Sequence, residues 1–276
     1  MAGNAYSIHY FLTKYNYNIK LMNSLRILLT CSLFITSSFE LAAKIQAQTV
    51  PVMPTEETPI TTEELLTQVC DFLKGQQFIS VEMDITYDNV LTSGSKVQYG
   101  GYKTVSVQRP NMVRVDTVAD QGNRNFYYDG KTITLFSPTL KVFATKEAPA
   151  NIDEMLNTIE EKLGFTIPMF NLFTSNPCAV LDNTVEEPLY IGSNLVNREE
   201  TDQILIVTAD WDGQLWISQD ETPLVKKAIV TYKNLPNAPQ YTVLFSNWNF
   251  KPSFAPDTFT FTPGQDNFKV QILPSD

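Results

Sequence analysis

Hydrophobicity with a period of two, repeated along most of the chain and interrupted by only two helical stretches, is the pattern that most constrains this fold. In residues 78–85, Ile79, Val81, Met83 and Ile85 alternate with Phe78, Ser80, Glu82 and Asp84. Successive side chains of a strand point to opposite faces, so this alternation marks a strand with one dry face. Ser93-Gly94 turns the chain into a second strand over 96–108, and Pro110 ends it because proline has no N–H for the ladder. A third strand is expected over 112–118. Strands over 124–128 and 131–136 flank Asp129-Gly130, a dipeptide suited to a two-residue hairpin turn. A turn at 137–139 leads into 140–145. Beyond Cys178 the pattern predicts a hairpin from 185–191 and 192–197, then strands over 203–209, 214–218, 225–233, 241–250, 258–262 and 267–273. Many short strands joined by turns, with no βαβ alternation, predict a mainly β (α+β) fold. Its expected form is a curved antiparallel sheet, an incomplete β-barrel closed by short helices.

The helical stretches have their own start and stop signals. Thr61 and Glu64 have capping-box spacing, Leu65, Leu66, Val69, Phe72 and Leu73 fall on one face, and Gly75 supplies a stop. In the second stretch Asn151 stands as N-cap with Glu154 three residues on, and Gly164 closes the helix. Ile152, Met155, Leu156, Ile159 and Leu163 recur at helical spacing opposite Asp153, Glu154, Glu160 and Glu161. The following residues 165–173, FTIPMFNLF, are more apolar than a surface loop requires and predict a short turn or helix buried beneath the second helix. A sheet with such a lid either fills its core with the apolar stripe or leaves a cavity that the stripe lines.

Residues 1–47 read as an N-terminal extension and signal peptide, with the start at Met22, the cation Arg26, an apolar run over 27–35 and cleavage near Ala47. That run is far short of the roughly 20 residues needed to span a bilayer. Cys31 invites a lipid-anchor reading, but Thr30 is bulkier than the residue that usually precedes a lipidated cysteine. Residues 48–60, with three prolines and no periodicity, read as a linker to a single domain over 61–276. The expected consequence is export. In an oxidising compartment Cys70 and Cys178 have two readings, one long-range disulfide or Cys70 as a small apolar helix residue.

The charge pattern and the missing histidines exclude several functions. The formal net charge is -10, and losing Lys14, Lys20, Arg26, Lys44 and Glu40 with residues 1–47 makes the remainder three units more negative. No block of Lys or Arg offers a footprint for nucleic acid, and an anionic membrane surface would repel the chain. The single histidine, His9, also lies in the extension. Without it a Ser-His-Asp or Cys-His mechanism is excluded, as is the commonest zinc ligand. Glu186-Glu187 and Glu199-Glu200 sit beside turns without the Gly-spaced loop of a Ca²⁺ site, and read as solvated faces. Trp211, Trp216 and Trp248 read as packing residues of strands. No catalytic residue, cofactor or metal is expected, and the chain reads as no enzyme.

Four segments occur in a characteristic order: QRPNMVR, YYDGKTITLFSPTLKVF, QLWISQDETPLVKKAIVTYK and FSNWNFKPSFAPDTFTFTPG. Together they resemble the periplasmic outer-membrane lipoprotein carrier (LolA) and its relatives, above all a related family of periplasmic proteins of unknown function, over nearly all of 61–273. The resemblance implies an incomplete barrel whose concave apolar face, closed by helices, binds acyl chains. It implies that Arg109, ahead of Pro110, is the arginine that latches the lid helices through their backbone. It also matches Asp129-Gly130 to the carrier's turn and 259–263 to its last core strand. Thr201-Asp202-Gln203 stands where many members carry histidine, so a histidine-dependent role is not expected. The resulting expectation is a monomeric periplasmic binding or carrier protein for an apolar ligand: acyl chain, lipid or lipoprotein. Arg109, Ile152, Met155, Leu156, Ile159 and Leu163 would be its ligand-binding residues. The alternative is an envelope sensor or scaffold module with a filled core and a protein partner, since a fold does not transfer its traffic.

Overall fold

The computed structural model describes residues 61–163 and 167–271. The expected start at Met22, the cleavage near Ala47, Cys31, the 48–60 linker and Gly164 lie outside the described residues. Helix α1 (Thr62–Lys74) comes first, followed by strands β1 (Phe78–Val90), β2 (Lys96–Gln108), β3 (Met112–Ala119), β4 (Arg124–Tyr128), β5 (Thr132–Ser137) and β6 (Val142–Glu147). Helix α2 (Ile152–Leu163) and two 3-10 helices, Phe170–Phe173 and Ala179–Asn183, interrupt the sheet. Strands β7 (Leu189–Val196), β8 (Glu199–Val207), β9 (Trp211–Ser218), β10 (Val225–Tyr232), β11 (Gln240–Asn249) and β12 (Phe268–Lys269) complete it.

These strands form one sheet in the order β12-β6-β5-β4-β3-β2-β1-β11-β10-β9-β8-β7. Every pairing is antiparallel except β12 with β6. β1 pairs with both β2 and β11, and so joins two meanders distant in sequence. The sheet is curved but not closed into a barrel. Its inner face carries Ile79, Val81 and Met83 of β1, Val105 and Val107 of β2, and Val243 and Phe245 of β11, all buried in one apolar core. α1 and α2 cover this face with Leu65, Leu66, Val69 and Leu73 from one and Ile152, Met155 and Ile159 from the other.

Local chemistry fixes both helix starts. Thr61 Oγ1 accepts from the Glu64 N–H at 3.1 Å, and the Glu64 carboxylate accepts from the Thr61 N–H at 2.8 Å. The Asn151 side chain accepts from the Glu154 N–H at 2.9 Å. The β4–β5 hairpin turns at Gly130, whose φ of 82° is open to glycine and costly for other residues. Asp129 Oδ1 closes the turn by accepting from the N–H of Thr132 at 2.7 Å.

Three expectations are corrected. The 185–191/192–197 hairpin does not form: β7 runs through Gly192 with a bulge between Tyr190 and Gly192, and the chain reverses at Asn197 and Arg198, both at positive φ. Residues 258–262 are not a strand. They cross the outer face, where the Phe261 ring packs against Tyr127, Phe136 and Phe143 at 5.5, 4.9 and 5.1 Å. The last strand is only Phe268–Lys269. Among the described residues no helix is long and apolar enough to cross a membrane.

Candidate functional site

Arg109 follows the last residue of β2, where the chain leaves the sheet through a cis bond to Pro110. Its guanidinium reaches two segments far apart in sequence. Nη1 donates to the carbonyls of Leu73 at 2.5 Å and Gln76 at 2.7 Å, at the C-terminal end of α1. Nε donates to the Phe173 carbonyl at 3.1 Å and Nη2 to that of Thr174 at 2.8 Å, at the end of the first 3-10 helix. The last carbonyls of a helix have no intrahelical donor, and a planar fork of five N–H groups suits several of them at once. Burial draws the Arg109 pKa down, and Asp153 opposes that shift. Asp153 also accepts from the Ser175 N–H at 2.9 Å, which ties the start of α2 to the same segment.

Two further bonds fix the lid. The Ile152 N–H donates to the Pro110 carbonyl at 3.0 Å, so α2 begins against the residue after Arg109. The buried Tyr128 donates its hydroxyl to the Pro149 carbonyl at 2.6 Å. Burial, with Asp129 and Glu154 nearby, pushes its phenol up to about 12, so it stays a donor throughout the ordinary pH range. A disulfide joins Cys70 of α1 to Cys178, with Cα atoms 5.7 Å apart. Of the two readings of these cysteines, the bridge is the one present.

Between the helices and the β8–β10 side of the sheet lies a cavity of about 920 Å³. Leu66 and Val69 of α1, Leu156 and Ile159 of α2, and Leu215 and Ala228 of the sheet are among its walls. Cys70 and Cys178 also line it, so the bridge is part of the wall. The volume is at the upper end of the range for small-molecule sites, and the walls are mostly apolar, as such sites require.

The expected site residues separate in four ways. Leu156 and Ile159 face the cavity. Ile152 and Met155 are buried in the packed core and are not among the cavity's lining residues. The side chain of Leu163, the last residue of α2, lies outside the described residues. Arg109 does not line the cavity; it holds together two segments that do. Sequence reasoning missed the contribution of α1 and of Trp211 and Tyr232. The α1 stripe was legible, but a stripe that seals a core and one that walls a cavity have the same period. Among the described residues no three His, Cys, Asp or Glu side chains are grouped to hold a metal ion.

A family model described as "Predicted periplasmic protein (DUF2092)" matches residues 62–273. No curated protein matches the chain. Among solved structures it is similar to the MucA/MucB complex of Pseudomonas aeruginosa, with 14% identity over 72% of this chain and 60% of that one and a TM-score of 0.40. It is similar to the lipoprotein LppX of Mycobacterium tuberculosis, with 13% identity, 70% and 99% coverage and a TM-score of 0.38. A LolA superfamily protein from Nitrosomonas europaea has 11% identity, 73% and 98% coverage and a TM-score of 0.34. The chain spans about three fifths of the MucB structures it matches.

Proposed function

Because the chain belongs to the family of predicted periplasmic proteins DUF2092, we propose that it works in the periplasm as a binding or carrier protein for an apolar ligand. The ligand, of the acyl-chain or lipid class, lies between the inner face of the sheet and the two helices. One observation carries this reading: an apolar cavity of about 920 Å³ walled by α1, α2 and β8–β10. Burying hydrocarbon supplies about 0.8 kcal/mol per methylene, so ten methylenes give about 8 kcal/mol before ordering costs. That is the scale of a micromolar complex.

Leu156 and Ile159 touch the ligand, while Ile152 and Met155 anchor their helix. Arg109 keeps the cavity walls together, and release requires some of its hydrogen bonds to open, at about 1 kcal/mol each. The disulfide stays closed throughout and limits how far α1 can swing. The protein acts by holding and releasing rather than by bond chemistry.

Native mass spectrometry of protein purified gently from the periplasm, followed by lipid extraction, tests this. A stoichiometric acyl ligand is the expected result. A clean unliganded mass, together with failure to take up a fluorescent fatty acid, would overturn the reading and favour an envelope module that binds a protein partner.

A further inference from the structure

The inner face of the sheet is apolar except at one end. Lys103 has the same orientation on β2 as the buried Val105 and Val107, and lies in a cross-strand row with Met83 of β1, Thr117 of β3 and Arg124 of β4. Its Nζ donates to the Tyr241 hydroxyl at 3.0 Å and stands 5.5 Å from the centre of that ring. Among the described residues Lys103 forms no ion pair; its close polar contact is this phenol, and its charged neighbour is Arg124, of the same sign. Burial, then Arg124, draw its ammonium down to about 8. A half-buried ammonium held by a phenol and, among the described residues, paired with no carboxylate is an arrangement that an anion would complete.

The phenol that holds Lys103 is next to the cavity wall. Val230, a wall residue, sits directly opposite Tyr241, which in turn faces Tyr87, which faces Tyr99. Strands lie about 4.8 Å apart, so the wall and the strand of the phenol that holds Lys103 are a single strand spacing apart. Tyr232, also in the wall, is close enough to Tyr241 to oppose its ionisation. Gly101 lies between Lys103 and Tyr99 on the same face and puts no side chain in the way; a Cβ there would stand 2.7 Å from that of Ala119. On the α2 side the lining includes Asp153 and Glu160.

We infer that the site is built for an anionic amphiphile, with its chain in the cavity and its carboxylate or phosphate head at Lys103, beside the tyrosines Tyr87, Tyr99 and Tyr241. This rests on the carrier reading and adds the polarity and orientation of the ligand. The two ends of the inner face then differ in what they contribute, affinity from the apolar end and selection from the cationic end.

The test follows tryptophan emission, with Trp211 in the cavity wall, while the protein is titrated with palmitate, with methyl palmitate and with acetate. Palmitate is expected to bind at least tenfold more tightly than its uncharged ester, and acetate not at all at the same concentrations. In Lys103→Met the preference for palmitate over its ester disappears, and Lys103→Arg retains the preference. Equal binding of acid and ester by the wild type, or a preference unchanged in Lys103→Met, overturns this inference and leaves the carrier reading standing. Acetate binding as tight as that of palmitate makes the cluster a free-anion site and overturns it too. If neither palmitate nor its ester binds, the carrier reading falls first and this inference with it.

Discussion

Arg109 points its donors at the end of α1 and at residues 173–174, which are separated by about a hundred positions in sequence but meet over the same cavity. Lysine in its place offers a point charge on a flexible stem and cannot fork. Arg109→Ala is expected to lower stability by about 3 kcal/mol in urea melts, with Arg109→Lys recovering less than half of that loss. Hydrogen exchange should quicken at the backbone of 173–176 in both variants, ahead of the central strands. Lys103 gives a prediction of the opposite sign. Its ammonium is near 8 in the folded protein, against about 10.4 in an unfolded chain. Between these values the unfolded chain holds a proton that the folded one has released, so this group makes stability rise with pH from about 8 to 10. Below that window both states are charged and the burial cost is constant. Urea midpoints should show Lys103→Met more stable than wild type at pH 7 by about 1–2 kcal/mol, with the gap closing towards pH 10.

At the scale of the element, α2 has two adjacent residues with different work. Met155 is fully buried in the core, whereas Leu156 is half-buried and lines the cavity. Met155→Ala is expected to cost about 2–4 kcal/mol of stability and leave fatty-acid uptake nearly unchanged. Leu156→Ala should cost under about 1 kcal/mol and weaken uptake several-fold; thermal melts and a fluorescent fatty-acid titration measure the two effects separately. Which residue does which was not legible in the sequence, because both fall on the apolar arc and only the emptiness beneath one of them distinguishes them. Other elements were legible to the residue. The bounds of β2 and β4 follow from alternation cut off by Pro110 and by Asp129-Gly130. The misreadings share a physical cause. Gly192 resembles a turn residue but serves a bulge within β7, while the true turn uses Asn197 and Arg198, whose positive φ no glycine announces. Phe259 and Phe261 alternate as in a strand, yet they bury rings against other rings on the outer face without a ladder.

Over the whole molecule, one sheet joins the beginning and the end of the described chain through β1 and β11. The fold class was readable because turns and alternation are local signals. The order of strands was not, because nothing in β1 names β11 as its partner. The disulfide was also undecided, since two cysteines at a separation of 108 residues carry no local sign of meeting. A bridge of that span restrains the unfolded chain by roughly 4–5 kcal/mol in the loop-entropy account. Paired Cys70→Ser and Cys178→Ser substitutions should therefore lower the unfolding free energy by about 2–4 kcal/mol, read from urea melts of oxidised wild type and variant. The bridged segment contains β1 to β6 and α2. About two fifths of the 276-residue chain is thus a covalent circle with a tail at each end. A single tryptic cut after Lys141, beside the exposed Leu140, would open the circle without dividing the molecule. Its pieces would travel as one band on a gel without thiol, and separate into two only when thiol is added.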